Sequence, residues 1–490
     1  MTTSHGGMEI DMEETRHVRK RDIYKRIITF SEGVLLLAAE VLLFARMWYT
    51  EYADNTQAIQ IPFWNKGNWA VIGMYAIIIY LFTKLYGGYK VGFLRVMDVL
   101  FSQILSLVCA NIVGYIELCI IARNYLPALN MIELTFLEII VIWVFVCRMM
   151  YRKFYPPRHL LLVYGYKTPT EFIDKINARK DKYIIADRIH VSEGEKALKE
   201  KILQYDGVIL CETKAYIRNC FEHSIRSYVV PKLSDIIILG AEPIHLFDTP
   251  LLLSRNQGLT GEDMIFKRLM DIIVSLIMII IFSPFMILIA LAIKLYDRGP
   301  VFYKQDRLTL NGRVFKIMKF RSMRMDSEEH GAQLARKHDD RITPVGRVIR
   351  ATHLDELPQL FNILKGDMSV VGPRPERPEI AAQYRETFPE FDYRLKMKAG
   401  LTGYAQVYGK YNTTPRDKVK LDLTYYEQYS LWLDLKLILL TFKILFQKEN
   451  TEGIDANQTT AIREDKTKKT GIKHPHDEAE DAFYSVEEKK

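Results

Sequence analysis

Five apolar stretches divide the chain, and polar or charged sequence separates them. Four lie in the N-terminal third, at residues 27–49, 69–86, 98–121 and 131–150, and the fifth covers residues 268–295. Each is close to the ~20 residues that a helix needs to cross a bilayer. The pattern predicts a membrane α-helical protein with four transmembrane helices ahead of a separate fifth apolar segment.

Basic residues are distributed unevenly around the first four stretches. Lys and Arg are concentrated before the first stretch, between the second and third, and after the fourth, whereas the two other loops contain only Lys66 and Arg123. Because Lys and Arg favour the cytoplasmic side of a membrane, the N-terminal segment 1–26 and everything after residue 150 are predicted to be cytoplasmic.

Four carboxylates lie within these apolar stretches. Such residues usually face the interior of a helix bundle and often mark function, but they can also be polar packing contacts or lie near the headgroups. Both interpretations stay open, and no role is assigned to Glu32, Glu40, Glu117 and Glu138.

Residues 151–255 alternate between two kinds of pattern. The short apolar runs HLLLVYG, YIIAD, GVILC and YVVP are rich in β-branched residues, and helical stretches such as EFIDKINA separate them. This alternation predicts a Rossmann-like α/β module with a parallel sheet. A GxGxxG turn is absent after the first strand, so a structural or regulatory role is favoured over cofactor binding.

The fifth apolar segment has basic residues at both ends and Ser283-Pro284 in its middle. Proline removes a backbone hydrogen bond and kinks a helix, and the serine hydroxyl can help to satisfy the freed backbone groups. A straight spanning helix is the simpler alternative. The break and the basic flanks instead predict a re-entrant helix-break-helix over 268–295, with both ends on the cytoplasmic side.

Three predictions concern the remaining sequence. VFYKQDRLTLNGRVFKIMKF predicts a β-hairpin with Asn311-Gly312 at its turn. Residues 430–446 predict a helix, either in the membrane interface or in the core of a catalytic domain. That domain is assigned to residues 256–450, and the polar tail 451–490 is predicted to be disordered.

Composition restricts the classes of function. The chain has 490 residues, of which 49% are hydrophobic, and a formal net charge of +8. Its basic residues flank apolar runs, which favours anionic lipids and phosphorylated substrates over nucleic acid. The cysteines show no metal-binding spacing, and no P-loop, HExxH or GxSxG motif is present.

Residues 350–375 carry the densest set of reactive groups. Asp355 and Glu356 are adjacent, Arg350 precedes them, and Arg374 follows within Gly-Pro-Arg-Pro. Asp355 is predicted to cap a short helix, whose N-terminus would attract phosphate. Two arginines nearby could clamp a diphosphate. Alone, such an acidic pair is more often only a helix cap.

The longer series of motifs is much more specific. Over about residues 262–447 the chain resembles the bacterial monotopic phosphoglycosyl transferases, also called polyprenyl-phosphate sugar-1-phosphate transferases. Larger members of that family place four membrane helices and a Rossmann-like module ahead of the catalytic domain. Two departures are Ala399, where the family often has proline, and Tyr404, where it often has tryptophan. The shared motifs are KR at Lys267 and Arg268, SP at Ser283 and Pro284, GPVFYKQDR from Gly299 to Arg307, KFRSM from Lys319 to Met323, LDELPQL from Leu354 to Leu360, PRP from Pro373 to Pro375, and GLTGYAQ from Gly400 to Gln406.

The resemblance implies an enzyme in the bacterial inner membrane that transfers a sugar-1-phosphate from a UDP-sugar to undecaprenyl phosphate. UMP would be released, and the product would begin capsule, exopolysaccharide or O-antigen assembly. Asp355 would be the nucleophile and Glu356 would hold Mg²⁺.

The resemblance also implies roles for residues around the acid pair. Arg350 and Arg374 would bind phosphate oxygens, and Lys267 and Arg268 would lie near the lipid phosphate. Pro373 and Pro375 would stiffen the loop that presents Arg374. The nucleotide-sugar side is expected to involve Thr402, Gly403 and Gln406, for which a structural turn is at least as good an explanation.

Two other functions compete with this one. A non-enzymatic membrane scaffold would explain residues 1–250 but not the motifs after residue 260. An enzyme that transfers only the sugar would release UDP instead of UMP. The sequence leaves open which sugar is transferred, what the α/β module does, and the oligomeric state, a homodimer included.

Overall fold

The computed structural model describes residues 5–53, 65–122, 134–165, 170–177, 179–211, 216–246, 249–254, 258–325, 341–409 and 413–445. The predicted disordered tail, 451–490, lies outside these residues. Two compact units divide the chain. The first comprises Met1–Gln257 and Glu427–Phe446, and the second comprises Gly258–Tyr426 and Gln447–Lys490.

The first unit begins with a bundle of long helices that match the four predicted apolar stretches. Their bounds are α1 His5–Glu51, α2 Asn65–Tyr86, α3 Val96–Ala122 and α4 Leu134–Phe154. With a later helix, α9 (Gly261–Asp297), the described part of the chain contains five helices that are long and apolar enough to cross a membrane. The protein is therefore helical with several candidate membrane spans.

Aromatic and polar side chains join the bundle helices. Phe44 of α1 stacks on Tyr75 of α2 with ring centroids 3.9 Å apart, and Trp48 Nε1 donates to Asn68 Oδ1 at 2.9 Å. Glu40 is only 1% exposed, and neither of its carboxylate oxygens has a hydrogen-bond partner among the described residues. In contrast, Glu138 is exposed. The predicted intramembrane carboxylates therefore differ in environment.

The α/β module contains a four-stranded parallel sheet, as predicted. The strands are β1 Arg158–Tyr164, β2 Tyr183–His190, β3 Gly207–Cys211 and β4 Arg226–Val230, in the order β2-β1-β3-β4. All four strands coincide with the apolar runs of the sequence. This order is the flavodoxin-like doubly wound order, in which the chain changes direction across the sheet after β2.

Helices cover both faces of this sheet. They are α5 Thr170–Asn177, α6 Glu195–Ile202, α7 Ile217–Glu222 and α8 Leu233–Leu239. Leu198 of α6 and Cys220 of α7 pack with Leu161 on one face, whereas Ile173 of α5 packs with Leu160 on the other. An antiparallel hairpin, β5 Glu242–Leu246 and β6 Thr249–Leu253, follows the module.

The C-terminal helix α15, Leu431–Leu445, also belongs to the first unit. Its buried Lys443 donates from Nζ to the Tyr86 carbonyl at 3.0 Å and to Ser102 Oγ at 2.6 Å. A cation at the last carbonyls of α2 complements the negative end of that helix. The structure therefore packs α15 against α2 and α3 of the first unit and not in the core of the second unit, while the membrane-interface alternative stays a prediction.

The second unit is built around α9 and a hairpin. Its further elements are β7 Phe302–Leu308, β8 Val314–Phe320, α10 Pro344–Ala351, α11 Gln359–Lys365, β9 Ser369–Val371, α12 Pro378–Thr387, β10 Gly400–Thr402, α13 Tyr404–Tyr408 and α14 Pro415–Glu427. β7 and β8 form the predicted antiparallel hairpin. Asn311 and Gly312 have φ of 57° and 75°, the positive values that a tight hairpin turn requires.

Helix α9 continues through Ser283-Pro284, so the predicted helix-break-helix is not present as an interruption of the helix. The physical reason is local. Pro284 cannot donate to the Ile280 carbonyl four residues earlier, but the Ser283 hydroxyl donates to that same carbonyl at 3.0 Å. The serine thus satisfies the acceptor that the proline leaves free, as the sequence predicted.

Both flanks of α9 pack within the second unit. Lys267, Asp271 and Ser275 are buried in the N-terminal part, and Met286, Ile289 and Ile293 pack near the C-terminal end against Phe320 and Ile349. Residues 276–285 are all described, and none of their side chains is buried. The middle of α9 is therefore an apolar segment with no buried side chain.

Candidate active site

The acid pair lies in a 3₁₀ turn, Leu354–Glu356, that precedes α11. The prediction that Asp355 caps a helix is wrong, because α11 begins at Gln359 after Pro358 and has no side-chain cap. A capping oxygen accepts from an N–H two or three residues later, and the third residue after Asp355 is a proline without an N–H. The Asp355 carboxylate is therefore left free of a capping role.

Two cations from distant parts of the sequence bind Glu356. Lys319 Nζ, from β8, donates to Glu356 Oε1 at 2.6 Å, and Arg374 Nη2 donates to the same oxygen at 3.0 Å. The side chains of Glu356 and Lys319 are 15% and 22% exposed, whereas that of Arg374 is 55% exposed. Burial opposes the ionisation of Glu356, but the two cations outweigh it and hold its pKa well below the ordinary range.

Asp355 has the opposite electrostatic environment. It is 9% exposed, and burial raises its pKa above the usual value, with a further rise from the neighbouring Glu356 charge. The positive charges of Lys319 and Arg350 oppose this rise without cancelling it. Adjacent carboxylates whose pKa values are pushed apart are typical of sites with separate chemical roles. The structure thus brings together Arg350, Asp355, Glu356 and Arg374, all predicted from the sequence.

Hydrogen bonds to its backbone carbonyls fix the loop that presents Arg374. Four consecutive carbonyls of this loop accept hydrogen bonds from four different donors. The pairs are Gly400 N to Pro373 O at 2.9 Å, Arg394 Nη2 to Arg374 O at 2.9 Å, Arg307 Nη1 to Pro375 O at 3.2 Å and Leu308 N to Glu376 O at 3.0 Å. Two prolines restrict the same segment. Arg374 therefore extends from a backbone that is held on every residue.

A buried ion pair holds one of these donors, Arg394, in place. Arg394 is 5% exposed, and its Nε donates to Asp422 Oδ2 at 3.0 Å. Burial raises the pKa of Asp422, and the neighbouring Arg394 opposes that rise. A buried pair of this kind fixes its members in one geometry, because separating them would leave an uncompensated charge.

The three residues predicted for the nucleotide-sugar side lie at the base of this loop. Gly372 N donates to the Thr402 carbonyl at 2.8 Å, and a Cβ on Gly403 would lie 2.1 Å from the Gly372 carbonyl oxygen. Gln406 Nε2 donates to the Leu401 carbonyl at 3.1 Å. These contacts match the structural alternative that the sequence left open for Thr402, Gly403 and Gln406.

Lys267 and Arg268 have contacts away from the acid pair. Lys267 is buried, and its Nζ donates to Tyr425 Oη at 3.1 Å. Arg268 donates from Nη1 and Nη2 to the carbonyls of Ile363 and Leu364, both at 2.6 Å. Since these carbonyls end α11, Arg268 acts as a cationic cap in this structure.

Sequence reasoning missed several residues of the site. Lys319 lay within the motif KFRSM but received no role, and the loop anchors Arg307 and Arg394 were not singled out. Asp271 was also missed, and it accepts from Val370 N at 2.8 Å and from Ser369 Oγ at 2.9 Å. The sequence placed Lys319 on the predicted hairpin, and this was the one feature that could have drawn attention to it. No local pattern connects a strand residue with a carboxylate 37 positions away.

The carboxylates of the site can be compared with the ligands that Mg²⁺ takes in proteins. Within the described residues, no group of three or more His, Cys, Asp or Glu side chains is placed to hold a metal ion. Asp355 and Glu356 offer two carboxylates beside a cation-lined surface. Mg²⁺ often takes only one or two carboxylates from a protein and the rest of its ligands from phosphates and water. The residues therefore fit a substrate-linked Mg²⁺ better than a closed protein cage.

Comparison with known proteins places this site in a family. The profile described as "Bacterial sugar transferase" matches residues 262–448, which include the acid pair, Lys319, the Arg374 loop and both anchoring arginines. A UDP-glucose:undecaprenyl-phosphate glucose-1-phosphate transferase of Caulobacter vibrioides is 40% identical over 189 residues, which are 38% of this chain and 71% of the relative. The chain belongs to the bacterial sugar transferase family.

Longer relatives match more of the chain. A transferase with the same description from Klebsiella pneumoniae is 38% identical over 263 residues, 52% of this chain and 53% of the relative. A UDP-N-acetylgalactosamine-undecaprenyl-phosphate N-acetylgalactosaminephosphotransferase from Aeromonas hydrophila is 38% identical over 238 residues, 48% of this chain and 55% of the relative. The matched part of the chain thus spans about half the length of these two relatives.

Proposed function

We propose that this protein transfers a sugar-1-phosphate from a UDP-sugar to undecaprenyl phosphate and releases UMP. The observation that carries the proposal is the acid pair. Asp355 is buried and has a raised pKa, while the adjacent Glu356 is held ionised by Lys319 and Arg374. The names of the matched relatives supply the substrate classes.

The chemistry proceeds through two displacements at one phosphorus. An oxygen of the ionised Asp355 carboxylate attacks the phosphorus that bears the sugar. The bond from this phosphorus to the bridging oxygen breaks, and UMP leaves with that oxygen. A phosphate oxygen of undecaprenyl phosphate then attacks the same phosphorus, the bond to Asp355 breaks, and the carboxylate is regenerated.

Cationic side chains compensate the negative charge of both substrates. Arg374 is half-exposed on its anchored loop, so it can bind a phosphate oxygen while keeping its contact with Glu356. Lys319 and Arg350 favour the ionised nucleophile. Donors that are already fixed stabilise charge in the transition state without reorganisation. Glu356 would hold a Mg²⁺ ion, which would supply further neutralisation of the diphosphate.

The path of α9 supports access to a lipid substrate from one side of the membrane. None of the side chains between residues 276 and 285 is buried, and Ser283-Pro284 lies among them. Both flanks pack within the same unit. These contacts favour a re-entrant path, with the site at the cytoplasmic face of the bacterial inner membrane. We assign the reaction to the start of capsule, exopolysaccharide or O-antigen assembly.

A trapping experiment tests the nucleophile. The full-length protein is incubated with UDP-sugar labelled in the sugar-bearing phosphate, without lipid acceptor, and covalent label and UMP are measured. We expect about one UMP per active site and label on the peptide that contains Asp355. Asp355→Asn keeps the shape of the side chain and should trap none, whereas label that survives in this variant would refute the assignment.

The nucleotide that is released distinguishes the proposed function from its two alternatives. Release of UDP would indicate transfer of the sugar alone, and no release with any UDP-sugar would favour a scaffold. The relatives carry glucose or N-acetylgalactosamine in their names. A panel of UDP-glucose, UDP-galactose and UDP-N-acetylated hexosamines therefore also identifies the sugar.

The path of α9 can be tested by accessibility. In a background without the five native cysteines, Glu262→Cys and Arg313→Cys are labelled with a membrane-impermeant reagent. Both should react only from the cytoplasmic side. Labelling of the second position from outside would show that α9 crosses the membrane.

A further inference from the structure

Two lysines converge on aromatic rings at one end of the membrane bundle, within the first unit. Lys25 Nζ lies 5.8 Å from the ring centroid of Phe93, and Lys182 Nζ lies 3.6 Å from the same centroid. Lys25 also donates to Tyr151 Oη at 2.5 Å and lies 5.2 Å from the centroid of Tyr155. These five residues form what we call the aromatic–lysine cluster.

Positive charge exceeds negative charge around this cluster. Burial, and then repulsion by Arg179 and Lys25, lowers the pKa of Lys182 to about 8. The nearby Asp181 is shared between Arg179 Nε at 3.1 Å and Arg148 Nη1 at 3.9 Å. Two ammonium groups thus face one ring while the adjacent carboxylate already binds two arginines. A bound anion would relieve this repulsion.

The cluster lies beside the ends of two candidate membrane spans. Lys25 is in the first turn of the candidate span Ile23–Thr50, and Tyr151 is in the last turn of the candidate span Leu134–Phe154. Lysine and tyrosine at the ends of membrane helices are characteristic of the interface between hydrocarbon and water. Lys182 enters the cluster from the turn just before β2, in the α/β module. A ligand here would meet the membrane surface and the module together.

We propose that the aromatic–lysine cluster binds the phosphate headgroup of an anionic phospholipid. The oxygens of a phosphate group accept charge-assisted hydrogen bonds from ammonium groups, and these are the stronger ones. Basic side chains at the cytoplasmic end of membrane helices are suited to anionic lipids. The lipid would secure the α/β module on the bilayer, a role separate from the proposed transfer reaction.

The first test uses the unaltered full-length protein. It is placed in nanodiscs of phosphatidylcholine alone or mixed with phosphatidylglycerol, and lysine acylation near pH 7.5 is followed by mass spectrometry. We expect acylation of Lys182 to slow several-fold with phosphatidylglycerol. The exposed neighbour Lys180 reports the general effect of a negative surface, and equal slowing of Lys180 and Lys182 would overturn the proposal.

The second test uses variants and measures retained lipid by native mass spectrometry. Each charge removed should weaken retention of phosphatidylglycerol about fivefold, and Lys25→Gln with Lys182→Gln about thirtyfold. Lys180→Gln should retain lipid like the unaltered protein. Equal retention by the double variant would refute the site.

Inorganic phosphate added to phosphatidylcholine nanodiscs distinguishes a free anion from a lipid headgroup. We expect it to leave the acylation rate of Lys182 unchanged. Protection by free phosphate as strong as that by phosphatidylglycerol would assign the cluster to a soluble anion and overturn the lipid proposal.

Discussion

Replacing Lys319 tests the electrostatic arrangement of the site most directly. Lys319→Met keeps the length and apolar stem of the side chain but removes the ammonium that binds Glu356 at 2.6 Å. Both side chains are mostly buried, so solvent screens the pair only weakly. Glu356 would keep its hydrogen bond with Arg374, and the strand β8 would keep its backbone pairing with β7.

The magnitude follows from the kind of bond that is lost. A hydrogen bond to a charged group contributes about 1.5–3 kcal/mol, which corresponds to a rate loss of roughly ten- to 150-fold if the contact acts in the transition state. The assay is the initial rate of UMP release from undecaprenyl phosphate and the UDP-sugar that the panel identifies. Lys316→Met is the matched control, because Lys316 is an exposed lysine on the same strand and should change the rate less than twofold.

The pH profile gives an independent readout of the same substitution. Asp355 must be ionised to attack, and its pKa lies above the ordinary 3.8, so activity should fall as the pH drops through that raised value. Lys319 lowers the pKa of Asp355, hence its loss should move the acid limb to higher pH. A folded Lys319→Met protein with an unchanged rate and an unchanged acid limb would refute the electrostatic reasoning.

Further predictions address the loop, the nucleophile's neighbour and the membrane segment. Arg394→Met should destabilise the protein by about 3–5 kcal/mol because it leaves Asp422 buried without its partner. The double variant with Asp422→Leu should regain most of the thermal stability in detergent, but it should not regain the rate of UMP release. Full activity of the double variant would show that the Arg374 loop needs no anchor. Glu356→Gln should weaken the dependence on Mg²⁺ when the rate of UMP release is measured at increasing Mg²⁺ concentrations. An unchanged half-saturating Mg²⁺ concentration would argue against Glu356 as a ligand. Pro284→Leu should favour a straight spanning helix over the re-entrant path and lower turnover. Ile280→Leu, at an exposed position one turn earlier, is the control. Wild-type turnover of Pro284→Leu with outside labelling of Arg313→Cys would argue against a need for the re-entrant path.

The elements whose signal is local could be predicted from the amino-acid sequence alone. The apolar stretches predicted α1–α4, the β-branched runs predicted all four strands of the parallel sheet, and Asn311-Gly312 predicted the hairpin. Hydrophobic period and turn chemistry act within a few residues of one another, so they can be interpreted without knowledge of the fold. The same holds for Ser283, whose hydroxyl binds the carbonyl that Pro284 leaves free one turn earlier.

The pairing of charges in the site depends on tertiary packing and could not be predicted from local sequence. Glu356 is held by Lys319 from a strand and by Arg374 from a loop, and Arg394 anchors that loop through Asp422. Asp355, predicted as a cap, is a buried carboxylate with a raised pKa. The physical reason is that burial and charge pairing depend on groups distant in sequence, whereas helix and strand formation depends on near neighbours. Family motifs identified which residues take part, but the pairing of each carboxylate with its cations follows from packing β8, the 3₁₀ turn and the Arg374 loop together.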